Sequence, residues 1–336
     1  MELLVFHPEK WNLLYNCSLL NDSQWEAERN PFESLGALYA SLGGFFIVMY
    51  MICLKVMWKQ RKNSCFKIMI QIGIMDVVNL SLNAVLTGYF TFTGAVYCSA
   101  PLTNYVCGAL VLGFWCNCCA SSVLLALNRL LELWSPGRME RLFRGHRTFL
   151  WITLPYMYGF YFTWFTPAPS YSSKGFAWFF DPYVGISSID IDRTPYMNTS
   201  HAFHNVATPV VIAGLYAFIL VTLWYKTRDN NTQIINKIQK RLILQSCTIC
   251  SFNFAACSLY IYIQYQTEPP SAWLVILTQI LWICCNCGAV VIYIIMNESI
   301  RQGVCEMILP VCLRKLVYKK NISITSVVPM IPRERT

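Results

Sequence analysis

Hydrophobic positions in this chain come in long blocks rather than in strict alternation or narrow helical stripes. Seven mostly apolar runs, at 35–57, 66–93, 102–133, 148–167, 205–225, 242–265 and 272–296, separate shorter polar stretches. Each run is about 20 residues or longer, enough for a helix to cross roughly 30 Å of hydrocarbon. Gly43, Gly44, Gly88, Gly113, Pro155, Pro209 and Gly288 fall inside the runs. Such residues weaken soluble helices but are common where neighbouring spans satisfy the freed backbone groups. The pattern predicts an all-α membrane protein: a seven-transmembrane helical bundle over 35–300, an N-terminal segment 1–34 and a tail 301–336. The opening MELLVFHPEK has too short an apolar run for a cleavable signal, so the first span is expected to direct insertion.

Composition agrees with this reading and charge orients it. Of the 336 residues, 56% are hydrophobic and only 13% charged, which is too oily for a soluble domain of this length. Basic residues gather in alternate gaps and the tail, among them Lys59, Arg61, Arg138, Arg141, Arg144, Lys237 and Arg241. The opposite side instead holds Glu2, Glu26, Glu33, Asp181, Asp190 and Asp192. The positive-inside rule then sets the N-terminus outside and the C-terminus in the cytoplasm. The net +9 is thereby a cytoplasmic charge and calls for no nucleic-acid partner. Sequons at Asn16, Asn21 and Asn198 lie on the expected outer side and are candidate glycosylation sites.

Topology also sorts the 16 cysteines. Cys17 and Cys98 alone fall in the oxidising compartment, so a disulfide between them is expected. Two near-mirror stretches, WCNCCASS from Trp115 and WICCNCGA from Trp282, carry CxxC-like spacing. Four zinc-bound thiolates there would put unpaired negative charge in hydrocarbon. The stretches instead read as small packing residues with Asn117 and Asn286 bonding between touching spans, and no metal is expected.

An ionisable residue inside a span is a functional candidate by default. Asp76 begins a stripe with Asn79 and Asn83 at helical spacing, and Asn117 and Asn286 are its expected partners. The stripe is either a structural network fixing helix register or a state-dependent switch. Arg129, at the end of the third run, either snorkels to the interface, with Glu132 as a partner, or has a signalling role. His201 and His204 read as capping or packing groups at the start of the fifth span. No nucleophile elbow, phosphate loop or paired-acid motif is present, so neither an enzyme nor a cofactor is expected.

Seven spans, an outer N-terminus, IGIMD at 72–76, Asn128-Arg129-Leu130 closing the third span, and Tyr293 followed by MNESIR resemble the rhodopsin-like G-protein-coupled receptors. Further segments, from MYMICLKVMWKQRKNSCFKIMIQIGIMD through GYFTFTGAVYCSAPLTNYVCG, LALNRLLEL, FRGHRT and FDPYVG to YMNTSHAFHN, are similar to nematode serpentine receptor class T. The resemblance implies a chemosensory receptor in the plasma membrane of a ciliated sensory neuron, with a short amphipathic eighth helix on the membrane surface. It implies a small odorant or other chemical cue as ligand and a heterotrimeric G protein as partner. Asp76, Asn117, Arg129, Asn286 and Tyr293 would form the switch, and Lys237 and Arg241 in the basic third inner loop would receive the G protein. Candidate ligand contacts are Tyr105, Val111, Tyr260, Gln264, Trp273 and Gln279, with Phe176, Trp178, Phe179 and Phe180 from the outer loop. Val111 stands where amine receptors of the wider family carry an acid, and the seventh span has no lysine for retinal, so an uncharged or weakly polar odorant is expected, with a peptide contacting the acidic outer surface as the alternative. The rival class is a multi-span transporter or ligand-gated channel; the missing inverted repeat and missing charge-lined pore speak against it.

An epitope tag at the chain start is expected to bind antibody on intact cells, and one at the chain end only after permeabilisation. Access to both tags without permeabilisation contradicts an odd number of crossings.

Overall fold

The computed structural model describes residues 1–228, 251–263 and 271–308. Three short helices, α1 (Glu2–Phe6), α2 (Pro8–Leu14) and α3 (Asp22–Ala27), precede the bundle. The bundle is built from α4 (Glu33–Trp58), α5 (Ser64–Leu80) continuing into α6 (Thr87–Thr93), α7 (Pro101–Trp134), α9 (Arg147–Phe165), α10 (Thr199–Arg228), α11 (Ser251–Ile263) and α12 (Ala272–Met296). The short helix α8 (Pro136–Phe143) links α7 to α9, and α13 (Glu298–Ile308) follows α12.

Helices stand at all seven predicted positions, and five of those described are long and apolar enough to cross a membrane: α4, α5 with α6, α7, α10 and α12. Of the sixth predicted run, 242–265, only 251–263 is described, as α11. In α9, Trp151, Tyr156, Tyr158, Tyr161 and Trp164 pull the hydropathy down, yet Leu150, Met157 and Phe160 still point outward. α4 and α10 expose Phe45, Val48, Met51, Val206, Val210 and Phe218 in the same way. An apolar belt of this extent is incompatible with water and matches a lipid surround, so the chain is a multi-pass membrane protein.

α7 is the central helix and packs against α5, α9 and α10. Small residues set the closest approaches. A Cβ on Gly36 of α4 would lie 2.6 Å from the Gly88 carbonyl of α6, and one on Gly108 of α7 only 1.7 Å from the Pro169 carbonyl. The first contact draws two spans together; the second lets a loop press onto α7.

Between α5 and α6 the chain widens into a π-helical segment, Ser81–Leu86. Asp76, Asn79 and Asn83 are all buried, with Asn83 inside the π-helical segment. The Asn83 side chain is buried with no hydrogen-bond partner among the described residues, while its carbonyl accepts from Gln279 Nε2 at 2.8 Å.

One end of the bundle is capped. Strands β1 (Ser170–Ser172) and β2 (Ala177–Phe179) form an antiparallel hairpin with Tyr171 opposite Trp178. Asn104 clamps the Tyr171 backbone from both sides, its Oδ1 accepting from the Tyr171 N–H at 2.7 Å and its Nδ2 donating to the Tyr171 carbonyl at 3.1 Å. The Trp178 indole donates to Thr87 Oγ1 at 2.7 Å. Residues 1–32 lie over this layer. Tyr15 is the hub, with ring contacts to Trp11, Tyr97, Tyr105 and Tyr196. Burial holds its hydroxyl well above the ordinary phenol range, so it stays protonated. The Met1 nitrogen donates to the Thr163 carbonyl at 3.0 Å, at the C-terminal end of α9, and burial lowers its pKa to about 6.

Cys17 and Cys98 are disulfide-bonded, with Cα atoms 5.6 Å apart, which ties the cap to the start of α7. The bridge spans 81 residues of sequence. In the chain-entropy account a loop of that size corresponds to about 4–5 kcal/mol. Cys17→Ser is expected to lower stability by about 2–5 kcal/mol, read as a fall of several degrees in the melting temperature of nanodisc-embedded protein. An unchanged melting temperature means the bridge does not hold the cap.

Candidate ligand cavity and the polar network beneath it

Under the hairpin lies a cavity of about 370 Å³. Its floor is aromatic, formed by Trp115 of α7 and Trp282 of α12, whose rings meet edge-on at 6.1 Å. These are the tryptophans that open the two near-mirror stretches of the sequence. Trp178, Phe179 and Phe180 roof the space. Tyr260 of α11 and Thr278 and Gln279 of α12 form one wall, and His201 and Asn205 of α10 form another.

Two charged side chains line the cavity among the described residues, and they pair: Arg193 donates to Asp181. Burial pushes the Asp181 carboxyl above its ordinary range, against the opposing pull of the Tyr183 N–H and Arg193. His201 is 5% exposed, between Phe180 at 5.2 Å and Tyr260 at 5.0 Å between ring centroids. Its Nδ1 and the Trp282 Nε1 are buried and have no hydrogen-bond partner among the described residues. His204, one turn on, has Nδ1 within 3.0 Å of the Tyr158 hydroxyl and 3.2 Å of Thr208 Oγ1.

Of the candidate contacts, Tyr260 and Gln279 line this cavity, as do Trp178, Phe179 and Phe180. Four others are placed elsewhere. Tyr105 is turned toward the cap, edge-on to Trp11 and Tyr15. Val111 is fully buried with Phe90, Tyr171 and Trp178. Trp273, 81% exposed, points away from the bundle. Phe176 sits edge-on to Phe32 at 5.5 Å. Gln264, Lys237 and Arg241 lie outside the described residues. Sequence reasoning treated His201 as a packing residue, although a histidine pair three apart in a charge-poor helix start was the available signal.

The Asn198 sequon needs a larger correction. Asn198 is 1% exposed; its Nδ2 donates to the Pro167 carbonyl at 3.0 Å and its Oδ1 accepts from the His201 N–H at 2.9 Å. The residue caps α10 and starts that helix six residues before the predicted 205, and its amide has no room for a glycan. Asn21 is exposed, and Asn16 half-buried beside the disulfide.

Directly below the floor is the polar network. Tyr50 of α4 places its hydroxyl 2.6 Å from Asp76 Oδ2 and 2.6 Å from the Asn286 carbonyl, one O–H serving two acceptors. Cys118 Sγ donates to Asp76 Oδ1 at 3.4 Å. Asn79 Nδ2 donates to Asn286 Oδ1 at 3.1 Å, and Asn286 Nδ2 to the Trp282 carbonyl at 3.0 Å. Asn286 thus links Asp76's surroundings to the cavity floor.

Asn117 stands apart from this network, contrary to expectation. Its Oδ1 accepts from Gln71 Nε2 at 2.7 Å and Ser121 Oγ at 3.3 Å. Neighbouring positions on a helix diverge by about 100°, so Cys118 rather than Asn117 faces Asp76. Spans α7 and α12 meet through Trp115 and Trp282 instead of through their asparagines. Tyr50, absent from the sequence candidates, is the residue that joins α4 to the network; a lone tyrosine in an apolar run gives no periodic signal.

Near the far end, Arg129 Nη1 lies 3.3 Å from Glu132 Oε2, both side chains about a third exposed. Tyr293 is buried in the cluster holding Met57, Cys65 and Met69.

A family model described as "Serpentine type 7TM GPCR chemoreceptor Srt" matches residues 2–316. The chain is also similar to "Serpentine receptor class T-55" of Caenorhabditis elegans, 25% identical over 298 residues that cover 86% of this chain and 78% of that protein.

The Trp178–Thr87 bond holds the roof of the cavity. Thr87→Val keeps the shape but leaves the indole N–H buried and unpaired, and is expected to cost about 1–3 kcal/mol in thermal unfolding. A change below about 0.5 kcal/mol means the roof is held by packing alone.

Proposed function

We propose that this chain, which belongs to the Srt family of serpentine seven-transmembrane chemoreceptors, binds a small chemical cue in the cavity under the hairpin and activates a heterotrimeric G protein at the other end of the bundle. Membership of a receptor family sets it among receptors rather than enzymes. One observation carries the reading: the cavity floor and the Asp76 network share Trp282, whose side chain lines the cavity and whose carbonyl accepts from Asn286.

In this reading the N-terminus and the disulfide-tied cap are extracellular, consistent with acid residues on that side and basic residues on the other. Segment 1–34 covers the mouth, 35–300 forms the bundle, and 301–336 is a cytoplasmic tail. Helix α13 is the amphipathic eighth helix at the membrane surface; its Ile300 and Val304 are buried against the bundle. Asn16 and Asn21 are the glycosylation sites. The receptor works at the plasma membrane, in the cilium of a sensory neuron.

Ligand contact with Trp282 and Gln279 alters the preferred packing of α12, and Asn286 carries the change to Tyr50 and Asp76. A ligand shifts the bundle only by its difference in affinity for the two packings. At the far end Arg129 exchanges Glu132 for the G protein, with Tyr293, Lys237 and Arg241 completing the contact.

Ligand-stimulated nucleotide exchange on a co-expressed G protein, with membrane current and uptake recorded in parallel, tests this. Exchange is expected, and Asp76→Asn at equal surface expression is expected to change basal or ligand-driven exchange about fivefold or more. Current or uptake without exchange identifies a channel or transporter and contradicts the reading.

A further inference from the structure

The cavity restricts its occupant in three independent ways. At about 30 Å³ for each water-sized group, its 370 Å³ holds roughly a dozen non-hydrogen atoms. Its two charged lining residues, Asp181 and Arg193, are already paired. A buried charge on the ligand would therefore have no free counter-ion among the described lining residues, which is a high cost in such surroundings. Lastly, His201 Nδ1 in one wall and Trp282 Nε1 in the floor are buried without a partner among the described residues. An indole N–H can only donate, and a neutral imidazole has one donor nitrogen. With the His201 proton on Nδ1, both unpartnered groups are donors and what is missing is an acceptor.

We propose that the cavity takes a neutral, mainly apolar molecule of about a dozen non-hydrogen atoms bearing a carbonyl or hydroxyl oxygen, and that His201 and Trp282 are the residues that hold this oxygen. The aromatic roof and floor take the hydrocarbon part, and the two rings must turn for their buried nitrogens to reach the oxygen. This assignment rests on the cavity being the ligand site of the proposed receptor.

The test uses the full chain in lipid nanodiscs and reads binding from the shift in melting temperature with probe concentration. The probes are a ketone, an alcohol, an alkane, a primary amine and a carboxylate, each in unbranched and phenyl-bearing form with about a dozen non-hydrogen atoms. The ketone or alcohol is expected to bind about tenfold or more tightly than the alkane, the amine or the carboxylate. His201→Phe is expected to remove about tenfold of the ketone or alcohol affinity, and His201→Gln, which keeps an N–H donor, to recover most of it. Trp282→Phe, which keeps a ring and deletes the N–H, is expected to weaken the same probes more than it weakens the alkane. If His201→Phe does not fold, Trp282→Phe decides.

Tightest binding by a charged probe overturns the assignment. So does binding by no oxygenated probe, or ketone and alcohol affinities that survive both ring substitutions. Loss of ketone binding in His201→Phe, with no probe driving nucleotide exchange, keeps the assignment and removes the receptor reading. Exchange driven by a charged probe keeps the receptor reading and removes the assignment.

Discussion

The Tyr50 hydroxyl, midway between the Asp76 carboxyl and the Asn286 carbonyl, is the contact on which the interior of the bundle depends. A carboxyl group buried in a span is costly unless it is hydrogen-bonded, and here the bonds come from two other helices, α4 through Tyr50 and α7 through Cys118. α12 joins through Asn286, which Tyr50 and Asn79 both reach. Apolar side chains could slide past one another at small cost, because lipid offers them the same environment. The polar contacts fix register instead. They turn four interchangeable apolar helices into one arrangement.

The cavity inherits its shape from that arrangement. Asn286 lies one turn from Trp282, so the floor is set by the same residue that completes the Asp76 network. The roof is built differently, from a hairpin clamped by Asn104 and Thr87 and covered by the tyrosine cluster around Tyr15. Where the floor relies on a few polar bonds inside hydrocarbon, the cap relies on aromatic area and the Cys17–Cys98 bond, as a segment outside the hydrophobic belt must.

The spans were legible because lipid demands long apolar blocks whatever the packing, and a block survives errors of several residues. Cys17 and Cys98 were legible because the expected topology left no other pair in the oxidising compartment. Facing was not legible. One step along α7 separates Asn117 from Cys118, and composition does not say which meets Asp76. The π-helical segment at Ser81–Leu86 was not legible either, since a count of three and four assumes a regular helix. Asn198 carried two readings, sequon and helix cap, and the second excludes the first. Trp273 and Tyr105 are both aromatic residues near span ends, and only packing separates the one exposed outward from the one buried under the cap.

A double-mutant cycle on Tyr50→Phe and Asp76→Asn, followed by unfolding in nanodiscs, measures the central contact directly. If the hydroxyl and carboxyl bind each other and organise the bundle, the coupling energy is about 1 kcal/mol or more. Strictly additive effects, with coupling near zero, would mean that Tyr50 and Asp76 act independently and that register is set elsewhere.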